Sequence, residues 1–286
     1  MLPTSGSALA FHKNRHSCTI ECLQCLPDEP GTRHRNPPAG GADRFHTTRW
    51  SVVLLSAQSQ SPGSQAALAE LCRICWYPLY AFVRRRGHSP EDAQDLTQGF
   101  FLDLLEHKAL TRVDREKGKF RSFLLASLQK YLSTEAARSR CLKRGGNMKF
   151  VSLDAGSAEE RYRLEPVDAL TPEKIFDARW AMALLGEAMN RLSREYVAEG
   201  KTATFEALKM FLDPVNPKKL PSYEEVADQL KVSVAAVKTL IHRLRKRYSA
   251  LVREEIMRTV SDSADVDAEI HELCEALIAT EGWIIP

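Results

Sequence analysis

An all-α fold is predicted for this chain of 286 residues, with two small helical domains joined by an extended linker. From Ala66 onward, apolar residues recur every three or four positions almost throughout, which is the period of an amphipathic helix. Little of this part shows the strict alternation that is typical of a half-buried strand. Paired glycines, a proline and scattered charges interrupt the helical pattern between 145 and 171. Such a composition predicts a linker between domains.

The composition sets broad limits on the class of protein. Hydrophobic residues make up 44% of the chain and charged residues 27%, with a net charge of +3, which is ordinary for a globular protein. No apolar run reaches the roughly 18 residues of a membrane span, and the N-terminus lacks the apolar stretch of a secretory signal. The sequence therefore predicts a cytoplasmic protein without a membrane span. An odd number of cysteines, seven, favours reduced thiols over a disulfide framework.

The first 44 residues are predicted to be a disordered tail, because proline and glycine are frequent from Pro27 onward. Cys18, Cys22 and Cys25 have a spacing that suits zinc, and one that resembles the iron–sulfur loop of radical enzymes. Those enzymes need a long run of alternating strands and helices, which this chain lacks. We expect no metal or other cofactor. Metal binding by the three cysteines and a misassigned start codon remain the alternatives for this segment.

The first helical domain is predicted at 45–144 and begins with a helix that stops at Gly87. The next helix starts with Ser89 as N-cap and Pro90 in its first turn. Its carboxylates gather on one side, and no basic residue occurs from Pro90 to Glu106. An acidic face of this kind suits a charged protein partner and repels DNA. A third helix, from Phe120 to Arg144, ends in a strongly basic run.

The second helical domain is predicted at 172–260 and contains "SYEEVADQLKVSVAAVKTLIHRLRKRY", residues 222–248. Ser222 and Glu225 have the spacing of a capping box that starts a short helix. After a turn, Ser233 can cap a second helix. One face of that helix is apolar and the opposite face is small, polar and basic, which is what a recognition helix in the major groove requires. The apolar face consists of Val234, Val237, Ile241, Leu244, Tyr248 and Leu251.

Residues 261–286 form an acidic extension, with seven carboxylates from Asp262 to Glu281 and no lysine or arginine. Apolar residues at helical spacing, from Val266 to Leu277, predict a further helix. One hypothesis is that this helix folds back over the basic recognition face and suppresses non-specific DNA binding.

Residues 222–248 resemble the promoter-reading helix-turn-helix of bacterial RNA polymerase sigma factors of the extracytoplasmic-function type. "HSPEDAQDLTQGFFLDLLE", residues 88–106, resembles the helix with which the same family grips the polymerase clamp. The two motifs occur in the family's order, and the resemblance covers roughly 45–260. It implies a sigma factor that binds core RNA polymerase and promoter DNA in transcription initiation. An anti-sigma factor or another regulator is a further partner that the family suggests.

The resemblance also implies roles for individual residues. The contacts with core polymerase fall on Asp92, Asp95, Gln98 and Phe101. The contacts with the -10 element fall on Phe120, Arg121, Phe123, Lys130, Tyr131, Arg138, Arg140, Lys143 and Arg144. The contacts with the -35 element fall on Lys238, Thr239, His242, Arg243, Arg245 and Lys246.

One departure from the family pattern and two alternatives stay open. Where many family members carry an aromatic and amide run, this chain has "FLLASLQK", so the resemblance does not predict which bases it prefers. Phe123 and Tyr131 are equally compatible with a place in the core. A stand-alone helix-turn-helix regulator explains 222–248 but leaves the acidic helix unexplained. No glycine-rich phosphate loop or nucleophile–base motif is present, so we expect no enzymatic activity.

Overall fold

A computed structural model describes residues 62–106, 119–141, 155–163, 170–212 and 220–280. These ranges contain helices and no strand, so the all-α prediction is confirmed for this part of the chain. None of the helices described is long and apolar enough to cross a bilayer. Two short 3₁₀ helices, Lys209–Leu212 and Ser263–Asp265, accompany nine α-helices. The α-helices are α1 Pro62–Arg85, α2 Pro90–Glu106, α3 Phe120–Cys141, α4 Ala155–Arg163, α5 Pro172–Ala198, α6 Thr202–Leu208, α7 Tyr223–Leu230, α8 Val234–Met257 and α9 Val266–Ala279.

The described residues divide into two units that differ from the predicted domains. One, the insert unit, holds residues 188–252, and the other, the discontinuous unit, holds residues up to 187 together with those from 253 onward. The boundaries fall within α5 and α8, and not at 171/172 and 260/261. The physical reason is that Arg121 of α3 binds both Glu269 of the C-terminal helix α9 and Asp177 in the first half of α5. The predicted tail, residues 1–44, lies outside the described residues.

The core of the discontinuous unit is built from the apolar faces of α1, α2, α3 and α5. Phe82 of α1 meets Phe176 of α5 edge-on, with ring centroids 6.4 Å apart. Trp180, one turn further along α5, lies 6.0 Å from Phe120 of α3. These large side chains are almost fully buried, and their burial is the main source of stability for such a unit.

The ends of α1 and α2 follow local chemistry. Gly87 has a φ of +92°, a conformation that glycine adopts without a steric penalty, and α1 ends just before it. Ser89 Oγ accepts a hydrogen bond of 3.0 Å from the backbone N–H of Asp92. The predicted stop and the predicted N-cap are therefore both confirmed.

Part of the predicted linker is helical rather than extended. Residues 155–163 form α4, and Glu159 fastens this helix to α1. Its carboxylate accepts hydrogen bonds from Tyr80 Oη at 2.6 Å and from Arg84 Nε and Nη2, each at 3.0 Å. Ala158 is buried beside it. The prediction of an extended segment is wrong here, because these tertiary contacts stabilise a helix too short to persist by itself.

Candidate nucleic-acid interface

The helix-turn-helix of the insert unit is defined by two caps and a tight turn. Ser222 Oγ accepts from the N–H of Glu225 at 3.1 Å, and the Glu225 carboxylate accepts from the N–H of Ser222 at 2.7 Å. Lys231 then takes the left-handed conformation, with a φ of 54°. Ser233 Oγ accepts from the N–H of Ala236 at 3.2 Å and caps α8. The predicted capping box and second cap are confirmed.

The inner face of α8 packs as its spacing predicts. Val237, Ile241, Leu244, Tyr248 and Leu251 are buried, whereas Val234, the first residue of the helix, is only half-buried. This continuous seam keeps α8 from rotating about its axis, because a turn of the helix would expose apolar area. The packing of the inner face therefore fixes which residues of α8 lie on the solvent side.

Five of the six residues predicted to contact the -35 element are exposed on that outer face: Lys238, Thr239, His242, Arg243 and Lys246. The sixth, Arg245, is half-buried. Its guanidinium donates from Nε at 3.3 Å and from Nη2 at 3.2 Å to the carbonyl oxygen of Phe211. Arg245 thus ties α8 to the 3₁₀ helix of its own unit, which distinguishes it from the exposed side chains of Arg243 and Lys246 beside it.

An aromatic support beneath Lys238 was missed by sequence reasoning. The ring of Tyr223, at the start of α7, stacks on Phe211 with centroids 5.7 Å apart. Lys238 Nζ lies 5.5 Å from the centroid of the same ring, within the range of a cation–π interaction. No periodic pattern marks Tyr223, because it is exposed at the first turn of a helix. The contact limits how far Lys238 can swing from the recognition face.

The acidic face of α2 is present, but only some of the predicted residues reach it. Asp92 and Asp95 are exposed, and Gln98 is half-buried. Phe101 is buried and stacks on Trp76 with ring centroids 6.0 Å apart. Phe101 is therefore a core residue that holds the helix in place, and the surface available to a partner is polar and negative.

The start of α3 differs most from expectation. Phe120 is fully buried and Arg121 is only 7% exposed, so neither reaches the surface in this conformation. Arg121 is enclosed by three carboxylates, those of Asp177, Glu269 and Glu272. Lys119, which the sequence did not single out, shares the last two. The expected exposure of Phe120 and Arg121 to DNA is wrong for this state, because α5 and α9 cover them.

The middle of α3 carries the remaining candidates for the -10 element. Lys130 and Arg138 are exposed, while Phe123 and Tyr131 are half-buried. Tyr131 packs on Phe100 with centroids 5.9 Å apart, and burial raises the pKa of its phenol to about 12. Arg138 pairs with Glu135 at 2.7 Å. The side chain of Arg140, and residues Lys143 and Arg144, lie outside the described residues.

The C-terminal carboxylates have partners other than those in the earlier hypothesis. Glu269 and Glu272 of α9 pair with Lys119 and Arg121, not with the recognition face of α8. Asp267 pairs with Arg253 at 2.5 Å, and this hydrogen bond lowers the pKa of the Asp267 carboxyl. The predicted helix is confirmed at 266–279. The hypothesis that its carboxylates pair with the recognition face is wrong for Asp267, Glu269 and Glu272, which have the partners just named.

Within the described ranges, no group of three or more His, Cys, Asp or Glu side chains is placed to hold a metal ion. Cys18, Cys22 and Cys25 lie outside those ranges. Comparison with protein-family models, with curated proteins and with solved structures finds no match to the chain.

Proposed function

We propose that the chain is a sigma factor that binds core RNA polymerase and directs it to specific promoters. The observation that carries this proposal is a pair of surfaces of opposite charge. One is the exposed basic face of α8 on a capped helix-turn-helix, and the other is the exposed acidic face of α2. A DNA reader alone needs only the first surface.

The basic face supports recognition of the -35 element in the major groove. Lys238, His242 and Arg243 carry donors for base edges and phosphates, and Ala235 and Ala236 leave room for the backbone to approach. The caps at Ser222 and Ser233 fix where each helix begins. The position of the donors is thus set by local hydrogen bonds before DNA binds.

The acidic face supports a contact with a positively charged protein surface. Asp92 lies in the first turn of α2, where the helix dipole favours negative charge, and Asp95 lies about one turn further along, exposed to solvent. DNA phosphate is repelled from such a surface. The family resemblance assigns this helix to the polymerase clamp, and the polarity of the surface agrees with that assignment.

The -10 element is assigned to the exposed part of α3. Lys130 and Arg138 offer positive charge, and the half-buried rings of Phe123 and Tyr131 offer edges on which unstacked bases can pack. Melted single strands are bound by this combination of basic side chains and aromatic platforms.

The proposal is tested by measuring polymerase binding and DNA binding separately. The chain with Asp92→Lys and Asp95→Lys is expected to lose binding to core RNA polymerase, and with it run-off transcription, while its affinity for duplex DNA is kept. A matched control carries the same charge change at two other exposed positions, Glu160→Lys and Glu173→Lys, and is expected to bind polymerase normally.

A wild-type chain that binds duplex DNA but does not bind core polymerase would refute the proposal. That result would favour a stand-alone helix-turn-helix regulator. Equal loss of polymerase binding in the α2 variant and in the control would instead refute the assignment of the α2 surface.

A further inference from the structure

A buried ion cluster joins the two ends of the discontinuous unit. Arg121 Nε and Nη2 donate to the two carboxylate oxygens of Glu269 at 3.0 and 3.2 Å, and Nη2 also donates to Glu272 at 2.9 Å. Asp177 accepts from the remaining Nη1. Lys119 Nζ lies 3.0 Å from Glu269 and 2.5 Å from Glu272. Two cations at the start of α3, Lys119 just before it and Arg121 within it, are therefore matched by three carboxylates, two of them from α9.

The electrostatics of the cluster favour the charged forms of Lys119, Arg121 and Glu272, whereas burial raises the pKa of the Asp177 carboxyl. Burial lowers the pKa of Lys119 and of Arg121, but hydrogen bonds to Glu272 and Glu269 outweigh this, and both pKa values are raised. The hydrogen bond from Lys119 lowers the pKa of Glu272. Glu269 is completely buried, while the side chain of Glu272 is 50% exposed. The cluster is thus sealed on the inside and open to solvent at Glu272.

The geometry at Arg121 is the one by which guanidinium groups bind oxyanions. A carboxylate held by two parallel N–H donors is geometrically similar to a phosphate held by the same donors. The segment before α9 adds a backbone contact, since the N–H of Phe120, at the start of α3, donates to the carbonyl oxygen of Thr259 at 2.9 Å. The C-terminal segment thus occupies both the cations and the backbone at the beginning of α3.

We propose that α9 is an autoinhibitory element whose carboxylates occupy, in place of nucleic-acid phosphate, the cations Lys119 and Arg121 at the start of α3. This inference rests on the proposed function, which places single-stranded promoter DNA on α3. Opening of α9 uncovers both cations at the start of α3 and makes them available to phosphate.

The ionic character of the contact makes it suitable for a reversible cover. A buried ion cluster contributes little net stability, because the cost of removing its charges from water offsets most of the attraction. A competing polyanion can therefore replace the carboxylates within the cluster, while displacement of the whole helix also costs the burial of its apolar face, Val266, Ile270, Leu273, Cys274 and Leu277. Glu272, which is half-exposed, is the place where exchange begins.

The test measures binding of a fluorescent single-stranded oligothymidylate by anisotropy at several salt concentrations, with the full chain and without polymerase. The variant Glu269→Gln with Glu272→Gln removes both charges and keeps the shape of the side chains. Two newly available cations are expected to steepen the dependence of log affinity on log salt by about 1.4, and to raise affinity up to about 25-fold at 0.1 M salt. The matched control, Glu275→Gln, changes one charge on the same helix at an exposed residue that pairs with His271, and is expected to bind like wild type.

A third variant shows whether the gain comes from the cluster. Addition of Arg121→Gln to the double variant is expected to remove most of the gain. A double variant with unchanged affinity, or with a gain that persists without Arg121, overturns the inference.

Circular dichroism reports whether the double variant is folded. If it is unfolded, Glu272→Gln alone serves as the test, because its side chain is half-exposed, and a gain of about fivefold is expected. A folded single variant that binds like wild type then overturns the inference. No polymerase is present in this experiment, so its outcome does not affect the measurement of polymerase binding that tests the proposed function. A failure of the autoinhibition proposal can therefore be distinguished from a failure of the proposed function.

Discussion

Gly99 provides a sharp test of how α2 and α3 pack. It lies in the interior of α2, where alanine normally stabilises a helix relative to glycine. A Cβ at this position would come closer than 3.0 Å to the hydroxyl oxygen of Tyr131, and 3.4 Å from the ring carbon Cζ. An added methyl group therefore forces the Tyr131 ring, which packs on Phe100, or the helix itself to shift.

The size of the effect follows from two opposing terms. At Gly186, in the interior of α5, an added Cβ meets nothing within 4 Å, so Gly186→Ala is expected to stabilise the protein by about 0.5–1 kcal/mol. At Gly99 the same gain is opposed by an overpacking cost of about 1–3 kcal/mol. The free energy of unfolding of Gly99→Ala is therefore expected to fall about 1–3 kcal/mol below that of Gly186→Ala. Both glycines belong to the discontinuous unit, so the comparison is between matched sites.

Urea unfolding followed by circular dichroism measures both variants. The decisive measurement adds Tyr131→Phe, which removes the hydroxyl oxygen and leaves only the ring carbon at 3.4 Å, an ordinary contact. In this background Gly99→Ala is expected to be neutral or stabilising. Equal stability of the two alanine variants, or no rescue by Tyr131→Phe, would refute the packing argument.

Three further predictions concern single side chains. Burial raises the pKa of Cys72 from 9.0 to about 11. Its thiolate fraction at pH 8 should therefore be about a hundredfold lower than that of an ordinary thiol, and its rate of alkylation by iodoacetamide should fall by the same factor. Alkylation at the rate of an ordinary thiol would contradict this. Burial raises the pKa of Glu159, but its hydrogen bonds, first that from Arg84, outweigh burial and leave the pKa below 4.5. Glu159→Gln should therefore lower the free energy of unfolding by about 2 kcal/mol at neutral pH. A carboxyl whose pKa is lowered in the folded protein stabilises the fold at pH values above its ordinary pKa, and this stabilisation is lost on acidification. The difference in free energy of unfolding between wild type and Glu159→Gln should therefore shrink as the pH falls below 4.5. A difference that is independent of pH would exclude the Glu159–Arg84 pair as its source. Arg243→Ala should weaken promoter binding by about 1–3 kcal/mol and change the preference at one base pair. Arg245→Ala should mainly lower the melting temperature of the protein. A loss of binding in Arg245→Ala together with a loss of thermal stability in Arg243→Ala would contradict these roles.

Local signals explain why the helix-turn-helix was predicted well. Its caps depend on Ser222, Glu225 and Ser233, each within three residues of its partner. Its inner face depends on a period of three to four that α8 keeps without interruption. Patterns of this range are fully contained in the sequence, and so the start of each helix and the buried face could be read from it.

The start of α3 could not be predicted because its partners are distant in sequence. Arg121 is separated from Asp177 by 56 residues and from Glu269 by 148. An arginine in a helical pattern is normally exposed, and only these tertiary partners make its burial possible. Phe101 and Phe120 are similar cases, because an aromatic residue in a recognition motif and one in the core follow the same helical spacing.

The separation between Arg121 and Glu269 also determines the order in which the two become available during synthesis. The ribosome makes Arg121 first and must add another 148 residues before Glu269 exists. At about 5–20 residues per second this takes about 7–30 s. For that interval the nascent chain carries Lys119 and Arg121 without the two carboxylates of α9 that later pair with them. The insert unit, residues 188–252, is synthesised in full within the same interval, so the recognition helix is complete before the discontinuous unit can close.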